Sequence, residues 1–426
     1  MRYLRFAALL PLLAAAAACT DETPTLSGDD FPPGTELVTR EVIVPASEFL
    51  NILGVFSGYT GSRDFRDLVV AENYDGLYAH AFSGFAGFPD KVTYRRAGAT
   101  RNDSLFSYGP GRIVLRLDTL AASELPLRLQ LWELGQRYDP RTTTWTTAID
   151  TGAVETPWTV PGGTPGQLLS QGFYNGAVAE GDSLVFDIDA EAVGRLADTA
   201  SLGVMITGLT EGTRVQIREL VLRTTALPDS ADPDTAITVN ASSTRKAFVF
   251  TPDQPSPGPG VLAIGGIRSA RTLFELDLEQ LVCADPLELP TPCDPVPLGE
   301  VRLNRVSLLL RPVDTPGGYD PIAPLAVTAR AVSEPELGRY APLGNFIVDS
   351  DTASGPYRIL QPGDTLLEIP ITGFTDATTR VDSLPTAFAL VSEFGGIGVP
   401  TFGVGFFEAG ARLRLVYTVP VRRRLP

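Results

Sequence analysis

Leu184, Phe186 and Ile188 share one face of a two-residue alternation, and Val185, Asp187 and Asp189 share the other. That is the period of a β-strand with one face in a core. Asp189 precedes Ala190 to Ala197, a run with good helix formers, so its carboxylate is placed to accept the free N–H groups of a first helical turn. An apolar strand around Met205 and a further alternating strand through Leu220 follow. The same order recurs between Gly363 and Gly410, with Leu367, Ile369 and Ile371 on one face, then Thr372 as a second N-cap. The pattern therefore predicts one β-rich unit used twice.

Extended along the chain, the comparison opens the first copy with Leu37 to Pro45 and the second with Lys246 to Phe250; each leads to a glycine, Gly54 and Gly265. Arg112 to Leu120 faces Arg271 to Leu281, and Leu125 to Leu134 faces Arg305 to Val313, so that Arg311 falls opposite Trp132. A Tyr-Asp-Pro follows in each copy, Tyr138 to Pro140 and Tyr319 to Pro321. Further on Met205 matches Leu390 and Leu222 matches Leu415. The aromatic stretch Asn73 to Phe88, which holds the sole histidine, His80, reads as an insertion in the first copy. Prolines and aspartates between Ala226 and Ser243 suit a linker.

Length changes this picture little, since 426 residues suffice for two or three domains. The 41 glycines and 36 prolines favour turns over long helices and hence an all-β class. A formal charge of −16 argues against nucleic acid as a partner, because binding phosphates requires clustered cations.

Arg2 and Arg5 precede an apolar run from Phe6 to Ala18 that is shorter than the roughly 20 residues a spanning helix needs. This reads as an export signal. Ala16-Ala17-Ala18-Cys19 resembles the lipobox of bacterial lipoproteins, with Ala16 where that pattern more often has Leu. The resemblance implies lipidation at Cys19, a membrane partner through that lipid and, in a Gram-negative host, an outer-membrane location. Thr20 to Gly34 is polar and rich in Pro and Gly, a flexible tether spanning on the order of 20 Å. Cys283 and Cys293 form a close pair in what reads as an exported chain, for which a disulfide worth roughly 2 to 3 kcal/mol is the expectation. With no histidine beside them a tetrahedral zinc site stays incomplete, and no metal or cofactor is expected.

The expected organisation is a signal peptide over residues 1–18, a tether over 19–35, a first β-sandwich over 36–225, a linker over 226–245 and a second β-sandwich over 246–426. The LRLQLW strand ending at Trp132, the TTTW segment ending at Trp145, FDIDAEAV from Phe186, LGVMI from Leu202 and the terminal LRLVY from Leu413 together resemble the DNRLRE, or disaggregatase-related, repeat family and kindred jelly-roll carbohydrate-binding modules. The resemblance implies two tandem antiparallel jelly-roll-like sandwiches, with polysaccharide binding or cell-envelope association as the usual role. Leu196 stands where that family tends to have a tryptophan, so no ligand-binding residues are carried over.

Candidate binding residues come from facing. Leu127, Leu129 and Leu131 alternate with Arg128, Gln130 and Trp132, which puts the indole on the polar face. An exposed indole beside Arg and Gln is a platform for a sugar ring, with polar neighbours for its hydroxyls; the alternative is that a loop covers it. Trp145, Trp158 and Tyr174 lie in or near a loop-rich span and suit either a binding edge or a plug for the sandwich end. No G-x-S-x-G accompanies His80, and 50 acidic residues single out no glycosidase pair, so no catalytic residue is expected. The leading expectation is a lipid-anchored, non-catalytic envelope protein that binds extracellular polysaccharide. A structural or adhesion spacer without glycan binding is the alternative, and a polysaccharide-degrading enzyme the weaker one.

Overall fold

A computed structural model describes residues 35–57, 67–119, 122–123, 125–176, 182–230, 232–277, 279–283, 295–298, 301–315, 317–347, 357–381, 384–394, 397–398 and 403–422. The chain enters through β1 (Thr35–Pro45) and β2 (Leu50–Phe56). It continues with β3 (Leu68–Tyr74), β4 (Leu77–Ala86), β5 (Gly111–Asp118), β6 (Leu127–Leu134), β7 (Pro165–Tyr174), β8 (Ser183–Ile188), the helix α1 (Ala190–Ala197), β9 (Val204–Gly208), β10 (Thr213–Pro228) and β11 (Ile237–Thr251). The remainder comprises β12 (Val261–Gly265), β13 (Arg271–Leu276), β14 (Arg302–Leu310), β15 (Leu325–Val332), β16 (Leu343–Phe346), β17 (Leu367–Pro370), the helix α2 (Thr372–Arg380), β18 (Ala387–Phe394), β19 (Val404–Glu408) and β20 (Arg412–Arg422).

The protein is all-β, and the paired strands run antiparallel in two sandwich units. In the first unit one row is β3-β10-β5-β8 and the other is β4-β9-β6-β7. In the second unit one row is β1-β20-β14-β17 and the other is β13-β18-β15-β16, with β2 added at the β13 edge. Counting only the strands of these rows, with β2, β12 and β19 of the second unit set aside, both units have the order one-eight-three-six and two-seven-four-five of an eight-stranded jelly roll. α1 and α2 occupy the same place, between the sixth and seventh strands. Leu115 pairs with Leu184 and Leu310 with Leu367, so the third and sixth strands meet alike in both.

The period-two pattern sets which faces are buried. Leu127, Leu129 and Leu131 of β6 are fully buried, as are Leu184 and Phe186 of β8, and both sets point into the core between the rows. The second core is built the same way from Leu308 and Leu310, Phe388 and Leu390, and Leu413 and Leu415. Asp189 caps α1 as expected, accepting from the Ala192 N–H at 2.7 Å. Thr372 does not cap α2. It is the helix's first residue, and its Oγ1 instead accepts from the Val306 N–H at 3.0 Å, tying the helix to β14.

The two units are nested, which the sequence reading did not foresee. β1, expected to open the first sandwich, pairs along its whole length with β20 at the end of the second. The expected linker over 226–245 is occupied by the end of β10 and the start of β11, which pair with each other from Val221–Ser242 to Ala226–Ile237. Lys246 to Phe250, expected to open the second sandwich, lies in β11, which also pairs with β4 of the first unit. The first unit therefore sits in the chain between β2 and β12 of the second. The supposed insertion, Asn73 to Phe88, holds the whole of β4, an ordinary jelly-roll strand. Leaving it out of the count displaces the matches of the next two strands by one: the counterpart of β5 in the second unit is β14, not β13, and that of β6 is β15, not β14.

The units meet at Arg214 of β10, whose side chain is only 1% exposed. Its guanidinium donates to the carbonyls of Gly318 and Asp320, the latter at 2.9 Å, and lies 4.5 Å over the Tyr74 ring. Tyr319, Val404 and Phe406 of the second unit join the first unit's core there. Burial lowers the Arg214 pKa from its ordinary value, and the two carbonyls together with the Asp320 carboxylate, 3.7 Å away, compensate its lost hydration.

Cys283 ends a short strand, Leu281–Cys283, that pairs with Pro295–Pro297. Cys293 lies outside the described residues, and with it the expected disulfide. The leader over 1–18, Cys19 and the tether up to Gly34 lie outside them too. No helix among the described residues is long and apolar enough to cross a membrane.

Candidate functional site

The outer face of the β4-β9-β6 row carries the aromatic residues. On β4, Leu77, Ala79 and Ala81 face the core, which turns Tyr78, His80 and Phe82 outward. On β6 the same alternation turns Arg128, Gln130 and Trp132 outward, and Trp132 lies directly opposite Met205 of β9. The chain between β6 and β7 folds back across this face as a hairpin of Thr147–Asp150 with Glu155–Pro157. Its Trp158 is the anchor: 5% exposed, it stands 5.3 Å from the Phe82 ring and donates its indole N–H to the Thr144 carbonyl at 3.0 Å. Tyr138 secures the other end, buried, with its hydroxyl donating to the Arg245 carbonyl; that burial pushes its pKa upward.

The covering segment leaves an open groove of about 390 Å³. Tyr78, His80, Trp132 and Trp145 supply its rings, and Glu72, Gln130 and Thr207 its polar groups. Trp132 and Trp145 are both half-buried. Trp145 packs 4.9 Å from His80 and 6.2 Å from Tyr78, measured between ring centres. Two glycines let the backbone pass this close. Gly162 has φ +84° and a Cβ there would stand 2.7 Å from the Trp145 ring; Gly163 has φ +115° and its Cβ would stand 2.7 Å from Phe82.

His80 Nδ1 lies 2.7 Å from the Gly162 carbonyl, and since a carbonyl only accepts, the proton of the bond is on Nδ1. Nε2 faces Glu72 Oε2 at 3.9 Å. A histidine relay would need a hydroxyl nucleophile at that nitrogen. What faces it is the Glu72 carboxylate, and Gln130 and Thr207 add groups that both donate and accept beside the rings. Among the described residues Glu72 is the groove's one carboxylate, and no arginine or lysine lines it.

The structure thus brings Gln130, Trp132 and Trp145 together and separates the other sequence-predicted residues. Arg128 is exposed at the far end of β6, 5.6 Å over Phe173. Trp158 is the plug beneath the covering segment. Tyr174 is buried between the rows, its hydroxyl 3.3 Å from Asp182 Oδ1, with burial raising its pKa. Tyr78, His80 and Glu72 were missed as site residues; the alternation of Leu77, Ala79 and Ala81 was the signal that would have found two of them. Among the described residues no group of three or more His, Cys, Asp or Glu side chains converges as a metal site.

Arg330 of β15 corresponds to Trp132, since it lies opposite Ala389 on the outer face of the second unit. It stacks 4.8 Å over Phe346 and donates through Nε to the Gly344 carbonyl at 2.9 Å. Compared with family models and with curated proteins, the chain matches none, so the site is read from its geometry alone.

Proposed function

We propose that this is a cell-envelope protein, held at the outer membrane by a lipid on Cys19, that binds extracellular polysaccharide in the groove of its first unit without altering it chemically. The observation that carries the reading is the pairing of two half-buried indoles, Trp132 and Trp145, with Gln130, Glu72 and Thr207 in one open groove. Indole faces stack on the C–H faces of pyranose rings, and the polar groups between them take hydroxyls. An open groove also suits a polymer, whose ends need not enter it.

A glycan array probed with the protein tests this. Binding to at least one polysaccharide class, lost in Trp132→Ala with the fold intact by near-UV circular dichroism, is the expected result. Equal binding by the variant, or none by either protein, would remove the groove as a glycan site. Labelling with a radioactive fatty acid in a bacterial host, compared with Cys19→Ala, tests the anchor separately.

A further inference from the structure

We propose that the groove selects uncharged glycans and excludes polymers that carry uronate, sulfate or phosphate groups; this rests on the glycan reading above. An anionic sugar is held where a cationic side chain meets it, most specifically an arginine fork. Among the described residues the groove offers none: its lining has Glu72 and His80 as its only ionisable groups apart from the Tyr78 phenol. The nearest arginine on the same strand, Arg128, is turned over Phe173.

What the groove does present is one carboxylate, Glu72, among neutral polar groups. His80 donates through Nδ1 to Gly162, and its Nε2 stands 3.9 Å from Glu72 Oε2, so the other Glu72 oxygen is the acceptor this end of the groove offers a ligand. A sugar hydroxyl, with one hydrogen to donate, satisfies that carboxylate. A carboxylate or sulfate oxygen has no hydrogen to donate and would face the charge of Glu72. The formal charge of −16 on the chain adds a long-range repulsion of the same sign. Gln130 and the ring faces of Trp132 and Trp145 make no demand on ligand charge, so they bind the shared pyranose frame while Glu72 discriminates.

The test uses the full-length protein, tryptophan fluorescence, and matched hexasaccharides. The neutral set is β-1,4-gluco-, β-1,3-gluco-, β-1,4-manno- and β-1,4-xylohexaose; the acidic set is hexagalacturonate, hexamannuronate and a sulfated glucohexaose. At least one neutral hexamer is expected to bind about tenfold or more tightly than every acidic one at low salt, the scale of a partly screened like-charge contact. Glu72→Gln is expected to narrow that ratio by strengthening the acidic hexamers. An acidic hexamer that binds the unaltered protein as tightly as the best neutral one, with loss in Trp132→Ala, would overturn the selectivity and leave the glycan site standing. A ratio unchanged in Glu72→Gln would overturn the role of Glu72. If no hexamer of either set binds a folded protein, both the selectivity and the glycan reading fall together.

Discussion

The two units share one strand order, and they differ in what crosses the outer face of the row that contains the seventh strand. In the second unit that face is closed by Phe56, Ala341 and Leu343 packed with Leu273, Val332, Ala387, Ala389 and Val391, and the short excursion Pro335–Tyr340 brings Gly338 against the Phe56 ring. Arg271, 4% exposed, fastens it by donating to the carbonyls of Arg339 and Ala341 at 2.5 and 3.1 Å. In the first unit the same face is crossed by the longer segment between β6 and β7. It rests on Trp158 at one point and stands away at another, where Trp132 and Trp145 remain half-buried. The lesson is that the scaffold fixes where a site can lie, while the covering segment decides whether the face is sealed or left as a groove.

Substitutions in each core sharpen this comparison most. Phe388→Ala removes a buried ring stacked 5.2 Å from Phe274 and is expected to cost about 3 to 5 kcal/mol in the second unit. Because β1 and β2 belong to that unit, hydrogen exchange should rise at 35–56 as well as beyond 261, and rise least at 68–134. Exchange rising at 68–134 as much as at 35–56 would break the nested assignment. Arg214→Ala comes next, at about 3 kcal/mol, since it leaves the Gly318 and Asp320 carbonyls buried without their donor. Denaturant unfolding should then separate into two transitions.

Gly162→Ala has a smaller expected cost, about 1 to 2 kcal/mol from the positive φ. It also displaces the Trp145 ring, so it should reduce glycan binding more than stability. Trp132→Ala and Arg330→Ala then test equivalent positions directly. Isothermal calorimetry should show about 1 to 2 kcal/mol of binding lost in the first and none in the second. The smallest effect concerns Asp103, in the hairpin of Val92–Arg96 with Ala99–Asp103. Hydrogen bonds led by the Ser230 hydroxyl hold its pKa below the ordinary range. A depressed carboxylate stabilises above its unfolded value, about 4, and that contribution is lost as pH falls through the lower folded value. Exchange at 92–103 should therefore rise on acidification below about pH 4, before the cores open.

Much of the fold was legible because alternation reports facing. Leu127, Leu129, Leu131, Leu184 and Phe186 announce their own burial, and Asp189 announces the helix it caps. Alternation does not report which sheet a strand joins. Thr35–Pro45 reads as a strand wherever it goes, and its partner, nearly the whole chain away at Arg412–Arg422, leaves no local mark. The site was legible to the same depth. The polar face of β6 named Gln130 and Trp132 correctly as outward, but nothing local distinguishes Trp158, which plugs, from Trp145, which lines. That difference is set by how the segment after β6 folds across Phe82. His80 was hidden by being assigned to an insertion, although its neighbours Leu77, Ala79 and Ala81 carry the period of a strand.

Hydrogen exchange of the full-length protein with and without the best-bound neutral hexasaccharide tests the central claim most directly, because it reports both units in one experiment. Protection is expected at 72–80, 130–132, 145 and 160–163, with none at 325–346. Protection confined to 325–346, or absent from the groove while binding persists, would contradict the assignment of the site to the first unit.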